Sequence, residues 1–129
     1  MKKVLIADDK ATSRELVRMV LERCGHSVFE AGDGLEAVRL AQELAPDLMI
    51  LDLHMPLLDG FGTIRTLRGD HRFAATPVMA LTASAMQGDR ERALAAGFTS
   101  YISKPIPLNT LRNEVERLLS IETGPAPVG

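Results

Sequence analysis

The chain has 129 residues, 46% of them hydrophobic and 25% charged, and a formal net charge of −2. These values are typical of one globular domain with its own core, and they exclude a strongly basic surface for nucleic acid. The sole cysteine, Cys24, excludes an internal disulfide and favours a reducing compartment. The apolar runs are too short for a membrane span or a signal peptide, so we predict a cytoplasmic protein without membrane contact.

Short apolar runs alternate with helical patterns in the first half of the chain. The unbroken run at 4–7 predicts a strand buried on both faces. A helix ended by Gly25 follows, and then a weaker strand at 28–31. Asp33 is placed to cap a second helix, and the most hydrophobic strand is predicted at 48–51. The predicted apolar stripes are Leu16, Val17, Val20, Leu21 and Cys24 in the first helix, and Ala37, Val38, Ala41 and Leu44 in the second.

The second half of the chain continues this alternation. Gly60 begins a short helix, and a strand is predicted at 78–81. An alanine-rich helix with a weak apolar stripe follows from about 86 to 96, ended by Gly97. A short fifth strand contains residues 101–102. The remaining stripes are Phe61, Ile64 and Leu67 in the third helix, and Leu108, Leu111, Val115 and Leu118 in the last.

Five strands alternating with five helices predict a doubly wound α/β domain, in which a parallel sheet carries helices on both faces. The sequence contains no internal repeat and no sign of a second domain. Residues 1–121 are predicted to form the domain. Residues 122–129 include two prolines and two glycines, which predicts a disordered tail or the beginning of a linker.

Acidic residues and a lysine stand where the predicted strands end. Asp8 and Asp9 follow the first strand, Asp52 follows the third and Lys104 follows the fifth. Because ligands bind at the carboxyl ends of strands in open α/β sheets, we expect these side chains to meet. Crowded carboxylates raise each other's pKa, and a divalent cation and a lysine relieve that repulsion. Taken singly, each acid could be a helix cap or an ordinary strand end, but together they favour phosphoryl transfer to a carboxylate.

Smaller residues accompany this group. Thr82 ends the fourth strand and precedes Ala83 and Ser84. A helix-capping threonine is the simpler interpretation, but at this edge its hydroxyl could bond a phosphoryl oxygen, for which the small Ala83 would leave room. Pro105 would fix the turn after Lys104, where a cis bond is tolerated. We therefore place Ala83, Ser84 and Pro105 at the rim of the predicted site.

Together, these motifs resemble the receiver domain of two-component response regulators from residue 2 to about 120. The sequence looks most like stand-alone cell-polarity regulators and the receivers of hybrid histidine kinases. The resemblance implies a CheY-like, flavodoxin-like (βα)5 fold with strand order 2-1-3-4-5. The matching segments are Val-Leu-Ile-Ala-Asp-Asp at 4–9, Pro-Asp-Leu-Met-Ile-Leu-Asp at 46–52, Met-Pro at 55–56, Asp-Gly at 59–60, Leu-Thr-Ala at 81–83 and Tyr-Ile-Ser-Lys-Pro at 101–105.

The resemblance implies roles for the matching residues. Asp52 would accept phosphate from a phosphohistidine of a sensor histidine kinase or a histidine phosphotransfer protein, and Lys104 would pair with the phosphoryl group. Mg²⁺ would be held by Asp9, Asp52 and the backbone carbonyl of His54, with Asp8 acting through water. The domain would catalyse only its own phosphorylation and dephosphorylation, and would not be a metabolic enzyme.

The resemblance also implies a switch. Thr82 would swing toward the phosphate and Tyr101 would turn inward, which would reshape the face made by the fourth helix, fifth strand and fifth helix. A downstream protein would bind that face, and direct contact with nucleic acid is not expected. We expect a monomer before phosphorylation, with phosphorylation-dependent pairing as a further option.

Two residues depart from the commonest receiver pattern. Lys10 follows the acid pair, where a neutral residue is frequent, and we expect its side chain to face solvent. His54 stands two residues after Asp52, at a position that often influences the loss of phosphate to water. It is interpreted either as a rim residue or as one that positions or blocks the attacking water.

Three other interpretations stay open. A phosphatase of the haloacid dehalogenase type would use an aspartyl phosphate, but the position two after Asp52 is His54 and the chain is too short for a cap domain. A pseudo-receiver would bind proteins without being phosphorylated, and absence of Mg²⁺ binding would favour it. Finally, the chain could be a receiver fragment of a larger regulator or hybrid histidine kinase.

Overall fold

The computed structural model describes residues 2–83 and 88–123, with the side chains of 121–123 excepted. The strands are β1 (Lys3–Ala7), β2 (Ser27–Ala31), β3 (Leu48–Asp52), β4 (Val78–Thr82) and β5 (Ser100–Ser103). The helices are α1 (Ala11–Arg23), α2 (Gly34–Leu44), α3 (Gly60–Arg68), α4 (Asp89–Ala96) and α5 (Leu108–Thr123), and a 3-10 turn spans His71–Phe73. The predicted alternation of strands and helices is confirmed.

The strands form one sheet in which all neighbours are parallel, in the order β2-β1-β3-β4-β5. The register pairs Ala7 of β1 with Leu51 of β3, and Asp52 of β3 with Leu81 of β4. Thr82, the last residue of β4, pairs with Ser103 of β5. The carboxyl ends of β1, β3, β4 and β5 therefore meet at one edge, as the predicted fold class requires.

Two hydrophobic cores lie on opposite faces of this sheet, because side chains alternate along each strand. Leu5 and Leu51 point to the face covered by α2, α3 and α4, where they join Ile64 of α3. Ile6 and Ile50 point to the other face, which α1 and α5 cover. All of these side chains are fully buried. Burial on both faces explains why the central strands are unbroken apolar runs.

The ends of several helices follow from local sequence chemistry. The Asp33 carboxylate caps α2 by accepting a hydrogen bond from the Glu36 N–H, as predicted. Asp59 caps α3 in the same way through the Gly62 N–H. Gly97 ends α4 with φ 117, a left-handed conformation that favours glycine. Asp33 and Asp59 thus begin helices that follow strands, and Gly97 ends the helix that precedes β5.

Four details of the predicted helices need correction. Leu16 and Leu108, assigned to buried stripes, are 37% and 42% exposed, because the contact between α1 and α5 is centred on Val17, Leu21 and their partners further along α5. Cys24 lies just after α1 and is half-buried, so it is not a core residue of the helix. The last helix includes residues 122–123, which were predicted to belong to the tail. Residues 124–129 lie outside the described structure, so the proposed domain boundary stays a prediction.

Helix α4 packs thinly, in agreement with its predicted weak apolar stripe. Asp89–Ala96 forms the helix, preceded by Gly88 with φ 94, and Ala93 is its buried residue. The predicted start near residue 86 lies outside the described residues. Within 2–83 and 88–123, no helix is both long enough and apolar enough to cross a bilayer.

Candidate functional site

The predicted acidic residues and lysine meet at the carboxyl edge of the sheet. Asp8 and Asp9 follow β1, Asp52 ends β3 and Lys104 follows β5. The Lys104 Nζ atom lies 2.8 Å from Asp8 Oδ2 and 2.8 Å from Asp52 Oδ2. One carboxylate oxygen from each of Asp8, Asp9 and Asp52 lies within 4.8 Å of the others. Residues far apart in the sequence thus form a single charged cluster.

The three carboxylates differ in their access to solvent. Asp8 is fully buried and Asp52 is 4% exposed, whereas Asp9 is exposed. The second oxygen of Asp8 accepts a hydrogen bond from the Lys10 N–H at 2.9 Å. The second oxygen of Asp52 accepts one from the His54 N–H, also at 2.9 Å. Two acids are therefore held rigidly, and the third borders solvent.

Burial and neighbouring charge perturb the titration of the cluster. Burial raises the pKa of Asp52 above its ordinary value and the Asp8 carboxylate adds to that increase, while hydrogen bonds from Lys104 and the His54 N–H oppose it. Burial alone would lower the pKa of Lys104, but its bonds to Asp52 and Asp8 raise it above the ordinary value. Lys104 therefore stays protonated and favours the ionised form of Asp52.

The donor chemistry of the cluster fits a hard divalent cation. Oxygen ligands from one or two carboxylates, a carbonyl and water are what Mg²⁺ selects in proteins. With all groups ionised, three carboxylates and one ammonium leave a formal excess of two negative charges. A divalent cation would neutralise that excess, and the exposed Asp9 gives it access from solvent.

The loop after β3 packs tightly against the Asp52 backbone. The Leu53 N–H donates to the Leu81 carbonyl at 2.8 Å, and the Gly60 N–H donates to the Leu53 carbonyl at 3.0 Å. A Cβ on Gly60 would lie 2.6 Å from the Asp52 carbonyl oxygen, which real Cβ contacts do not allow. Gly60 thus lets α3 begin directly against the main chain of Asp52 and Leu53.

The predicted rim residues are positioned by β4 and β5. Thr82 is buried at the end of β4, and its carbonyl accepts a hydrogen bond from the Lys104 N–H at 2.7 Å. Ala83 is exposed beside it. The Lys104–Pro105 bond is cis and Pro105 is exposed. Ser84 lies outside the described residues. The two strand ends that carry Thr82 and Lys104 are therefore linked directly.

Three further candidates lie around the cluster. The His54 side chain is exposed, as is that of Lys10, in agreement with the expectation that Lys10 faces solvent. Tyr101, on the edge strand β5, is half-buried and packs against the core that includes Ala93 of α4. These positions agree with a rim role for His54 and leave its chemical role open to experiment.

An arginine that the sequence analysis did not single out also contacts the acid pair. Arg14 of α1 donates from Nη1 to the Asp8 carbonyl oxygen at 2.7 Å and from Nε to Glu30 Oε1 at 2.9 Å. The partner Glu30 comes from β2, and no short-range pattern relates the two residues. The sequence signal available was an arginine in the first turns of α1, which alone predicts only a solvated surface charge.

Most of this chain matches a known protein family. The family model of the response regulator receiver domain matches residues 4–116. The polar-differentiation response regulator DivK of Brucella anthropi is 39% identical over 105 residues, which cover 81% of this chain and 85% of DivK. DivK of Brucella ovis matches with the same identity and coverage.

Solved structures agree with these relatives. Chemotaxis response regulator CheY4 of Vibrio cholerae is 32% identical, with a TM-score of 0.86 over 92% of this chain and 98% of that one. The receiver domain of a sensor histidine kinase from Pseudomonas aeruginosa is also 32% identical, with a TM-score of 0.85 and the same coverage, and holds a magnesium ion in its active site cleft. The chain therefore belongs to the receiver domains of two-component response regulators.

Proposed function

We propose that this receiver domain is a phosphoacceptor switch in which Asp52 takes a phosphoryl group from a phosphohistidine. The donor would be a sensor histidine kinase or a histidine phosphotransfer protein. The observation that carries this proposal is the position of Lys104 Nζ, 2.8 Å from both Asp8 and Asp52, with Asp9 completing the acidic cluster. The cluster combines a buried carboxylate nucleophile with a fixed positive charge.

Mg²⁺ would be held by Asp9, Asp52 and the His54 backbone carbonyl, with Asp8 contributing through water. Both Asp8 oxygens already accept hydrogen bonds, one from Lys104 and one from the Lys10 N–H, which supports an indirect role for Asp8. When bound, Mg²⁺ would neutralise charge on the phosphoryl oxygens and on the carboxylates. Since Asp9 is exposed, it is the acid best placed to exchange water for the ion.

The chain's own groups prepare Asp52 for the transfer. The His54 N–H and Lys104 orient the two oxygens of Asp52 and favour its ionised form. One of these oxygens would form a bond to phosphorus as the phosphorus–nitrogen bond of the donor breaks, and the donor imidazole would leave with that electron pair. Lys104 would then pair with a phosphoryl oxygen, since it already lies at the acceptor.

Thr82 and Tyr101 would carry the change outward. Thr82 ends β4, where its carbonyl accepts a hydrogen bond from the Lys104 N–H, and its hydroxyl would respond to a phosphoryl group on Asp52. Tyr101 is half-buried on the edge strand next to the thinly packed α4. Because Ala93 is the buried residue of α4, this helix can be rearranged at low cost, which supports the face made by α4, β5 and α5 as the surface for a downstream protein partner.

Intact mass after incubation with acetyl phosphate and Mg²⁺ tests this proposal. We expect a gain of one phosphoryl group in the wild type, no gain in Asp52→Asn, and removal of the group by hydroxylamine. Asp47→Asn is a matched control, because Asp47 precedes β3 at its opposite end and accepts a hydrogen bond from the Lys3 N–H. It should be phosphorylated like the wild type.

Two results would overturn the proposal. Phosphorylation of Asp52→Asn would show that another residue accepts the phosphoryl group. A wild type that gains no phosphoryl group and binds no Mg²⁺ would instead favour a protein-interaction module that works without phosphorylation.

A further inference from the structure

We propose that Arg14 is a positioning residue that fixes the Asp8–Asp9 peptide for metal binding, held in place by Glu30. This inference rests on the proposed function, because it concerns the same acidic cluster. Arg14 would not touch Mg²⁺ or phosphate itself. It would act by setting the direction in which the Asp9 carboxylate leaves the backbone.

Arg14 is bonded to the backbone of Asp8. Arg14 lies in α1, and its Nη1 donates to the Asp8 carbonyl oxygen at 2.7 Å. That carbonyl belongs to the peptide that joins Asp8 to Asp9. The preceding peptide is fixed as well, because the Asp8 N–H donates to the Ala31 carbonyl at 3.1 Å. Asp9 is itself exposed, and Arg14 restrains the peptide that leads into it.

Glu30 holds the Arg14 side chain in place. Its Nε donates to Glu30 Oε1 at 2.9 Å, and Arg18 Nη1 lies 2.6 Å from Glu30 Oε2. The Arg14 and Glu30 side chains are only 21% and 22% exposed, whereas that of Arg18 is 48% exposed. A carboxylate on β2 with both oxygens engaged thus sets the guanidinium plane, and the restraint extends from the sheet to the acid pair.

The charge of Arg14 and its positioning role would change Mg²⁺ affinity in opposite directions. A guanidinium near an acidic cation site repels the cation, so removing it would strengthen Mg²⁺ binding if charge were its only effect. A residue that orients a ligand acts in the opposite direction, since removing it weakens binding. The sign of the change in Mg²⁺ affinity therefore distinguishes the two roles.

The experiment is a titration of unphosphorylated protein with Mg²⁺ alone. Binding is monitored by calorimetry and by the amide NMR signals of residues around Asp9 and His54. Arg14→Met should weaken Mg²⁺ binding by about 10-fold, the lower end of the effect of residues that orient metal ligands. Arg18→Met is the matched control. It also breaks an ion pair with Glu30, but within residues 2–83 and 88–123 the bonds of Arg18 go to Glu30 and Glu22 and not to Asp8 or Asp9, so Mg²⁺ affinity should stay within about 2-fold of the wild type.

A second variant covers the case in which Arg14→Met does not fold, which urea unfolding would reveal. Arg14→Lys keeps the charge but cannot donate in two directions from one plane, so it should also weaken Mg²⁺ binding. Affinity that is unchanged or higher in the folded Arg14 variants would overturn the inference while leaving the proposed function intact. A wild type that binds no Mg²⁺ would overturn both.

Discussion

Gly60 packs against the main chain of Asp52 so closely that a side chain cannot be accommodated between them. A Cβ at Gly60 would lie 2.6 Å from the Asp52 carbonyl oxygen and 2.7 Å from the Leu53 Cα atom. Both of these atoms belong to the backbone, so they cannot move aside as a flexible side chain would. The start of α3 therefore sets the position of the segment that carries Asp52.

Gly60→Ala should destabilise the domain by about 1–3 kcal/mol, because overpacking against backbone is not relieved by a change of rotamer. Gly69→Ala is the matched control. Gly69 follows the same helix with φ −74, and a Cβ there would meet its nearest atoms at an ordinary 3.5 Å. That variant should be neutral or slightly stabilised in urea unfolding. Equal stability of the two variants would contradict this account of Gly60.

The main features of the fold and of the site could be predicted from the sequence for physical reasons. The central strands are buried on both faces, so they are unbroken apolar runs that are easy to locate. Parallel pairing then brings the ends of β1, β3 and β5 to one edge, so Asp8, Asp52 and Lys104 were expected to meet. Asp33 was recognised as a cap because that chemistry is local.

Other features depend on contacts that leave no local pattern. Periodicity defines the direction of an apolar stripe but not its width, so Leu16 and Leu108 were assigned to buried stripes although both are exposed. The closeness of Gly60 to Asp52 depends on how α3 approaches the sheet. The bond from Arg14 to the Asp8 carbonyl depends on a partner, Glu30, on another strand.

Lys104→Met should destabilise the protein by about 3 kcal/mol at neutral pH, because it leaves the buried carboxylates of Asp8 and Asp52 without their shared cation. Burial already raises the folded-state pKa of Asp52 above its unfolded value, and loss of Lys104, which opposes that shift, would raise it further. The penalty is therefore present at neutral pH and shrinks as the pH falls and one carboxyl group takes up a proton. Urea unfolding at pH 7 and pH 5 measures this change.

Two variants serve as controls for the loss of Lys104. Lys10→Met removes an exposed lysine beside the same acids and should change stability by less than about 0.5 kcal/mol. Adding Asp52→Asn to Lys104→Met should recover part of the lost stability, because only one buried carboxylate remains. A double variant that is no more stable than Lys104→Met would show that charge is not the cause.

Arg68→Met should destabilise the domain by about 2 kcal/mol, because several backbone carbonyls lose a charged donor at once. Arg68 donates to the Thr76 carbonyl at 2.7 Å and to the Gly97 carbonyl at 2.8 Å, which ties the ends of α3 and α4 together. Burial lowers its pKa, although the guanidinium remains charged. Arg65→Met, at an exposed position of the same helix, is the control and should have a urea midpoint close to that of the wild type.

Glu114→Gln should remove about 1 kcal/mol of stability at neutral pH, and this loss should fade in acid. The Glu114 side chain is 23% exposed and accepts a hydrogen bond from Ser100 Oγ at 2.6 Å, which joins α5 to β5. The hydrogen bond from Arg117 lowers the pKa of Glu114, burial opposes that shift, and the bond from Ser100 adds to it.

Because the folded-state pKa lies below the ordinary value of 4.5, the contribution of Glu114 is fully present above about pH 4.5 and is lost as the pH falls through the folded-state pKa. Thermal unfolding of wild type and Glu114→Gln from pH 7 to pH 3 should therefore converge at the acidic end. Glu43→Gln, which removes an exposed pair with Arg39, should match the wild type at neutral pH. If the difference in unfolding temperature between wild type and Glu114→Gln persists unchanged at pH 3, the loss of stability comes from packing and not from the ionised carboxylate.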